Sequence, residues 1–285
     1  MFSRPLIVPV LAGLASWALF APAKAASLEI KNAAANVVII PEARRDVSVE
    51  VVGGDKRLVL KQTQLADKVV LDGGIHTVQC TNKVKLVIND WSAARFWVSG
   101  MGSFKRSSLP KIIARVPLDA EVSASGAVFG SIGRTHSLSL GHTGCGDWMV
   151  ANVETTLNLS QAGSGDTQIG TVGSAKVEIA GSGDVSLVSA AKGLGIEIAG
   201  SGDVAAQTID GPLKIEVAGS GDVDIQGGVV TGLDVSIAGS GNVHFGGTAA
   251  SGDLSIAGSG DISVHKVTGA VSRSVIGSGE ISIGE

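Results

Sequence analysis

The 285-residue chain has very few aromatic residues: Tyr is absent, and the aromatic share is only 4%. A compact globular core usually buries several large rings, because each ring removes a large apolar area from water. A stack of thin layers does not need them, since Val, Ile and Leu can fill each layer. The composition therefore disfavours one thick core and favours a layered one.

Long apolar runs are confined to the beginning of the chain. Arg4 precedes an apolar stretch that ends in the small-residue pattern Ala23-Lys24-Ala25, so residues 1–26 are predicted to be a secretory signal peptide. A membrane anchor is the alternative, which the prolines within the run disfavour. No Cys follows the run, which argues against a lipid anchor, and no later run is long enough to span a bilayer. We expect an exported, soluble protein, periplasmic or at the cell surface.

Cysteine occurs only twice, as Cys80 and Cys145. In an exported chain this number favours one disulfide, because the compartment is oxidising. Two free thiols are the alternative. A bridge requires that the two Cα atoms lie within about 7 Å of each other.

Basic residues are scarce in the second half of the chain. Residues 150–285 carry 15 acidic and 5 basic side chains, a balance of −10, whereas residues 27–149 carry 11 and 15, a balance of +4. A strongly acidic half argues against nucleic acid or an anionic membrane as its partner. The coils after residue 150 are also short and carry only five basic side chains. They therefore disfavour a polysaccharide lyase or hydrolase, which places paired carboxylates or a basic side chain on long cleft-forming loops. Such an enzyme remains the alternative function.

One four-residue turn recurs eight times between Gly144 and the end of the chain. Its usual form is GSGD, and its fourth position returns every 18 to 20 residues. A nearly fixed period of this length indicates a solenoid. The fourth positions are Asp147, Asp166, Asp184, Asp203, Asp222, Asn242, Asp261 and Glu280.

Two short segments of alternating apolar residues separate successive turns. Val185-Ser186-Leu187 follows one turn, and Ile196 and Ile198 precede the next. Alternation at period two predicts strands with one buried face. We predict an all-β fold, a single-chain parallel β-helix with coils of about 19 residues, right-handed by the general bias of parallel crossovers. The side chains expected to point inward in columns are Val185, Ile196, Ile215, Val223 and Leu254.

Gly and Asp suit the repeated turn for reasons of shape. Gly-Ser-Gly allows positive φ without a Cβ clash, and an Asp carboxylate can accept hydrogen bonds from nearby backbone N–H groups. A row of bound cations is the alternative, because stacked carboxylates repel one another. The turn is one residue shorter than the glycine–aspartate repeats that bind calcium. The candidate cation row consists of Asp166, Asp184, Asp203, Asp222 and Asp261.

The repeated AGSGDV turns, each preceded by an I-x-I-A strand, resemble the bacterial family called auto-transporter adhesin, head GIN domain. The segments 114–118 and 122–126 also resemble the start of that family's repeats. The resemblance covers roughly residues 27–285 and is clearest from residue 110 onward. It implies an exported β-helix and, through the family's name, adhesion, but no particular activity.

Residues 27–110 lack the GSGD turn but keep strand-like alternation, as in Val47–Val51. We expect irregular coils that cap the solenoid, because an open end exposes strand edges and core. A separate small β domain is the alternative. The regular repeat then occupies residues 111–285.

Six of the seven aromatic residues after the signal peptide lie between residues 91 and 148, interleaved with cations. Rings beside cations can stack on sugar faces or hold acidic polymers. The alternative is that these rings plug the side or end of the solenoid. The ligand candidates are Trp91, Arg95, Trp97, Lys105 and Arg106.

A transition-metal site is a further alternative in the segment that contains the first turn. Its residue types suit such a metal, but their spacing matches no strong site. The residues concerned are His136, His142, Cys145 and Asp147.

The last coil raises a question of register. In the column of Ile215 and Leu254, the next inward position is Arg273, and a guanidinium cannot enter an aliphatic core without partners. Either the register shifts so that Val271 or Val275 points inward, or the core ends there and Arg273 reaches solvent. An open end would favour end-to-end self-association.

Together these patterns predict an exported, non-catalytic β-solenoid that acts as a binding, adhesion or structural module of the cell envelope. The expected partner is a surface polysaccharide or another envelope protein. Neither a cofactor, a catalytic residue nor a metal site is predicted.

Overall fold

The computed structural model describes residues 26–80 and 95–284. Nearly all of the predicted signal peptide, and Trp91, lie outside the described residues. Within them the chain forms strands and one 3-10 helix, Arg106–Ser108, and none of their helices is long and apolar enough to cross a bilayer.

The first twelve strands are β1 Ser27–Glu42, β2 Ser48–Val52, β3 Lys61–Gln64, β4 Lys68–Asp72, β5 Val78–Cys80, β6 Arg95–Val98, β7 Gly102–Lys105, β8 Lys111–Pro117, β9 Asp119–Ile132, β10 Ser137–Gly144, β11 Trp148–Val150 and β12 Val153–Gly163. The last twelve are β13 Thr167–Gly181, β14 Val185–Ala190, β15 Leu194–Gly200, β16 Val204–Ile209, β17 Gly211–Gly219, β18 Val223–Gly227, β19 Val229–Gly239, β20 Val243–Ala249, β21 Gly252–Gly258, β22 Ile262–Val267, β23 Val271–Gly277 and β24 Ile281–Ile283.

From β10 onward, each strand pairs in parallel with its equivalent one coil away. One wall runs β13, β15, β17, β19, β21, β23, and a second runs β13, β14, β16, β18, β20, β22, β24. The predicted parallel β-helix is therefore confirmed. Its right-handed sense stays a prediction.

The interior of these coils consists of stacked aliphatic columns. Ile196 pairs with Ile215, and Val185 reaches Val223 through Val204. The five side chains predicted to point inward are at most 1% exposed, which confirms the register. Each column removes apolar surface from water along the whole length of the rod.

One layer of the core is polar. His142 and Gln161 occupy the column that continues with Ile179, and Thr167 occupies the column of Val185. The His142 Nε2 atom lies 2.8 Å from Thr167 Oγ1 and 3.0 Å from Gln161 Oε1, and Thr167 Oγ1 donates to Gln161 Oε1 at 2.7 Å. Burial lowers the pKa of His142 to about 4, because an apolar interior disfavours the imidazolium form.

The repeated turn is held by hydrogen bonds from coil to coil. The Gly163 carbonyl oxygen accepts the N–H groups of Ser182 at 2.9 Å and Gly183 at 3.1 Å. Gly181 has φ 137°, and a Cβ atom there would overlap the Gly163 carbonyl oxygen. Glycine is thus required both by the backbone conformation and by the close approach of neighbouring coils.

The N-terminal end of the solenoid is covered by antiparallel strands. β1 lies between β9 on one side and β4 and β8 on the other. β3 then pairs antiparallel with β4, and β2 pairs antiparallel with β8. These strands occupy the edges that parallel stacking alone would leave free.

The C-terminal coil, in contrast, is open to solvent. Arg273 pairs with Leu254 without a register shift, and Val275 pairs with Ile256. Val271 is 37% exposed and Val275 43% exposed, and Arg273 is exposed as well. Of the two expected outcomes, the one in which the core ends and Arg273 reaches solvent is confirmed.

Candidate functional site

A small sheet of three antiparallel strands lies against the side of the solenoid. This side sheet consists of β5, β6 and β7 in that order. In the part of the chain that the structure describes, none of its strands pairs with a strand of the solenoid. Side-chain packing, a hydrogen bond that Arg57 Nη1 donates to the Met101 carbonyl at 3.1 Å and one covalent bond hold it in place.

The inner face of the side sheet forms a second hydrophobic core. The rings of Phe96 and Phe104 stack with their centroids 5.7 Å apart. Both rings are buried, and so is Phe129 on β9, which is 4% exposed. Here the aromatic residues cover the flank of the solenoid, as the plug interpretation of this segment proposed. The buried members of this core are Ala34, Leu58, Ile75, Phe96, Val98, Phe104, Leu109, Ala127 and Phe129.

Arg106 takes part in this packing and is half-buried. Its guanidinium carbon lies 4.3 Å from the centre of the Phe129 ring, and its Nε donates to Asn36 Oδ1 at 3.0 Å. Partial burial lowers the pKa of Arg106, opposed by the nearby charge of Asp147. The cation of Arg106 covers a ring of the protein itself, and a ligand contact at Arg106 stays a prediction.

Trp148 is likewise structural. It is 2% exposed and lies in the main core. A Cβ atom at Gly130 would overlap its indole ring, so the absence of a side chain at that position makes room for the ring.

Among the described residues, the outer face of the side sheet carries one exposed indole ring. Trp97 is 39% exposed and lies directly between Gln79 on β5 and Ser103 on β7. Gln79, Ser103 and the nearby Lys105 are exposed. Arg95, of which only the backbone is described, pairs with Lys105. We call Gln79, Trp97, Ser103 and Lys105 the Trp97 face.

Sequence reasoning named Trp97 and Lys105 but missed Gln79 and Ser103. Both are ordinary polar residues with no motif of their own. Only the pairing of the strands places them on either side of the indole ring.

A disulfide joins the side sheet to the solenoid. Cys80 at the end of β5 is bonded to Cys145, and their Cα atoms lie 6.1 Å apart. Cys145 occupies the Ser position of the first repeated turn, GCGD. The two cysteines are 65 residues apart in the sequence, so the bond links two distant parts of the chain.

The repeated Asp residues form a hydrogen-bonded ladder. The Oδ1 atom of each accepts the backbone N–H of the residue at the same position in the next coil, as from Asp184 to Asp203 at 3.1 Å. The seven bonds measure 2.8 to 3.1 Å and run through Asp147, Asp166, Asp184, Asp203, Asp222, Asn242, Asp261 and Glu280. The ladder explains the repeated Asp without a cation, and Asn242 serves equally because its amide oxygen also accepts.

The candidate metal residues near the first turn do not come together. His142 is in the core, Cys145 is in the disulfide, and the exposed His136 Nδ1 lies 2.7 Å from Asp119 Oδ1. Among residues 26–80 and 95–284, no group of three His, Cys, Asp or Glu is placed to hold a metal ion. The alternation of β10 separates these residues, since it points His142 inward.

Ser137, His136 and Asp119 resemble the composition of a catalytic triad but not its geometry. The Ser137 hydroxyl donates to Asp119 Oδ1 at 2.6 Å, the same oxygen that contacts His136. A nucleophilic Ser must instead be hydrogen-bonded to the imidazole that removes its proton. The arrangement therefore fixes a corner of the chain.

One family model matches a part of the regular coils, about a third of the chain. Residues 188–284 match the family model "Putative auto-transporter adhesin, head GIN domain". This match confirms the resemblance seen in the turns over residues 188–284. No curated protein matches the chain.

Two solved structures are similar to this chain at low sequence identity. One is a "putative adhesin" from Bacteroides fragilis, with 16% identity, a TM-score of 0.44, and coverage of 91% of this chain and 93% of that chain. The other is a "putative lipid binding protein" from Parabacteroides distasonis, with 16% identity, a TM-score of 0.47, and coverage of 92% and 93%.

Proposed function

We propose that the protein is an exported, non-catalytic binding module of the cell envelope, and that it binds a surface polysaccharide at the Trp97 face. The observation that carries this proposal is the exposed indole ring of Trp97, set on a sheet whose other rings are buried. An exposed Trp ring does not contribute its apolar area to the core, but it offers a flat surface that can stack on a sugar ring.

The neighbours of Trp97 supply the polar half of such a site. Gln79 and Ser103 lie on either side of the ring, and their amide and hydroxyl groups can both donate and accept hydrogen bonds to sugar hydroxyls. Lys105 adds a positive charge, which favours a polysaccharide that carries carboxylate or sulfate groups. The inner aromatic core supports the sheet as a rigid base.

Export is supported by three independent features. The first 26 residues have the pattern of a signal peptide, the cysteines are joined in a disulfide, and the matched family is named for adhesion. Periplasmic and surface locations both agree with these features.

The test is a glycan array with the mature protein, followed by titration of the best ligand against two variants. Trp97→Ala should weaken binding at least tenfold, whereas Met149→Ala, which truncates a 49% exposed apolar side chain on β11, should leave it unchanged. Intact glycan after long incubation is expected. Binding that survives Trp97→Ala, or cleavage of the glycan, would contradict the proposal.

A further inference from the structure

Within the described residues, the side sheet is attached to the rest of the molecule by its inner hydrophobic face, by Arg57 and by the disulfide. It has no strand pairing with the solenoid in the described residues, and β5 is only three residues long. The inner face of the sheet packs on Ala34, Ala127 and Phe129, which belong to β1 and β9. Its two phenylalanines lie on β6 and β7, so β5 contributes least to this packing.

The disulfide acts on the strand that packing holds least. Cys80 lies directly opposite Phe96 in the ladder of β5 and β6, next to the pair of Gln79 and Trp97. A displacement of Cys80 therefore also moves Gln79, its neighbour in the chain, which belongs to the Trp97 face. Because Cys80 is exposed and Cys145 half-buried, a small reductant can approach the bond.

The other end of the disulfide is fixed. The Cys145 N–H donates to the Gly126 carbonyl at 3.2 Å, and the Gly144 carbonyl accepts the N–H groups of Ser164 at 2.9 Å and Gly165 at 3.2 Å. The turn is thus hydrogen-bonded to the coil before and to the coil after. Its position does not require the disulfide, since seven other copies of the turn carry Ser at this place, beginning with Ser164.

We propose that the Cys80–Cys145 disulfide is a redox latch for the side sheet, which fixes β5 against the solenoid and so keeps Gln79 beside Trp97. This inference rests on the proposed binding function of the Trp97 face and names its regulation. Reduction by a dithiol cleaves the S–S bond, transfers two electrons and two protons to give two thiols, and converts the dithiol into its own disulfide. Cys80 and Cys145 are then positioning residues, not ligand contacts.

The first test is hydrogen exchange, which needs no ligand. In the mature protein treated with dithiothreitol, and in a Cys80→Ser, Cys145→Ser double variant, amide exchange in β5, residues 78–80, and in the residues 96–98 that pair with it should become at least tenfold faster. Exchange in residues 194–219 should not change, because Cys145→Ser restores the usual GSGD turn. Unchanged exchange in the sheet, or an equal increase along the whole solenoid, would overturn the latch.

The second test is binding of the array-selected glycan in both redox states. We expect at least fivefold weaker binding after reduction and in the double variant, with recovery on reoxidation of the wild-type protein only. Equal affinity in both states would overturn the proposal. A sheet that loosens while no glycan binds in either state would instead contradict the proposed function and support the latch.

Discussion

The regular coils and the N-terminal part of this chain build the β-solenoid differently: the first repeats one coil, and the second varies it. In residues 167–284, one coil with one turn is repeated, and each position in a column has nearly the same side chain. In residues 26–166, almost every coil is different: β1 alone is 16 residues long, two strands run antiparallel, a sheet lies on the side, and a disulfide crosses 65 residues.

The difference teaches where specificity can reside in a solenoid. A repeated coil lets one set of hydrogen bonds serve every layer, but it offers a ligand many equivalent positions. The single-copy features of this molecule are the Trp97 face, the disulfide and the polar layer around His142, and all three lie at or before Thr167, where the regular coils begin. We therefore expect the array to supply length and rigidity, and the N-terminal part to supply recognition.

The largest expected effect comes from breaking an aliphatic column of the array. Ile215 is fully buried between Ile196 and Val235, so Ile215→Asp should lower the free energy of unfolding by more than about 4 kcal/mol, because it buries an unpaired charge. Ala218→Asp, at an exposed position of the same strand, is the control. Urea unfolding measures both, and equal stability of the two variants would show that the inward register is wrong.

The polar layer should make the N-terminal part sensitive to acid. The pKa of His142 is about 4 in the folded protein and about 6.5 in the unfolded chain, so the unfolded state binds the proton first. Stability should fall as the pH decreases from about 6.5 to 4, by about 3 kcal/mol, and this contribution should not change further below pH 4.

Other groups titrate in the same range, so the His142 contribution is read as a difference. His142→Gln removes the ionisable ring, and its stability should depend less on pH between 6.5 and 4 than that of the wild type. Parallel pH profiles for the two proteins, measured by thermal unfolding, would contradict this assignment.

The repeated turn offers a matched pair of glycines. Gly181→Ala forces a Cβ atom into the neighbouring carbonyl at φ 137° and should cost about 2 kcal/mol or more. Gly195→Ala places a Cβ atom where nothing lies within 4 Å and should be nearly neutral. Thermal unfolding of both variants distinguishes a required glycine from a permitted one, and similar losses would mean that close stacking is not the reason for the repeat.

The smallest effect concerns the aspartate ladder. Asp203→Ala removes the acceptor for the Asp222 N–H, which is 2.9 Å away, and should cost about 1 kcal/mol. Asp203→Asn keeps an oxygen at that place, as Asn242 does, and should be close to wild type in urea. If calcium stabilised the wild type but not Asp203→Asn, the ladder would be a cation row after all.

Several elements could be predicted because they depend only on the period. Ile196, Ile215, Val235 and Leu254 share a column because each of them follows the one before by one coil. The same register excluded a buried Arg273 without partners, but it left open whether the strand shifts or the core ends, and the unshifted pairing with Leu254 decided it.

The candidate site was predicted less completely. The segment around Trp97 was recognised as a ligand candidate, but the sequence did not separate Trp97, which is exposed, from Arg106, which packs on Phe129. These residues lie outside the repeat, so no equivalent coil fixes their register. Gln79 joins the face only through its pairing with Trp97.

By itself, the sequence determined the coil length, the inward columns and the glycines of the turn. A period fixes which residues are neighbours, and alternation fixes which of them point inward. The tertiary structure decided that β1 lies between β9 and the pair β4 and β8, and that the side sheet buries Phe96 and exposes Trp97. These contacts join segments without a common spacing, so they depend on which surfaces pack best once the solenoid has formed.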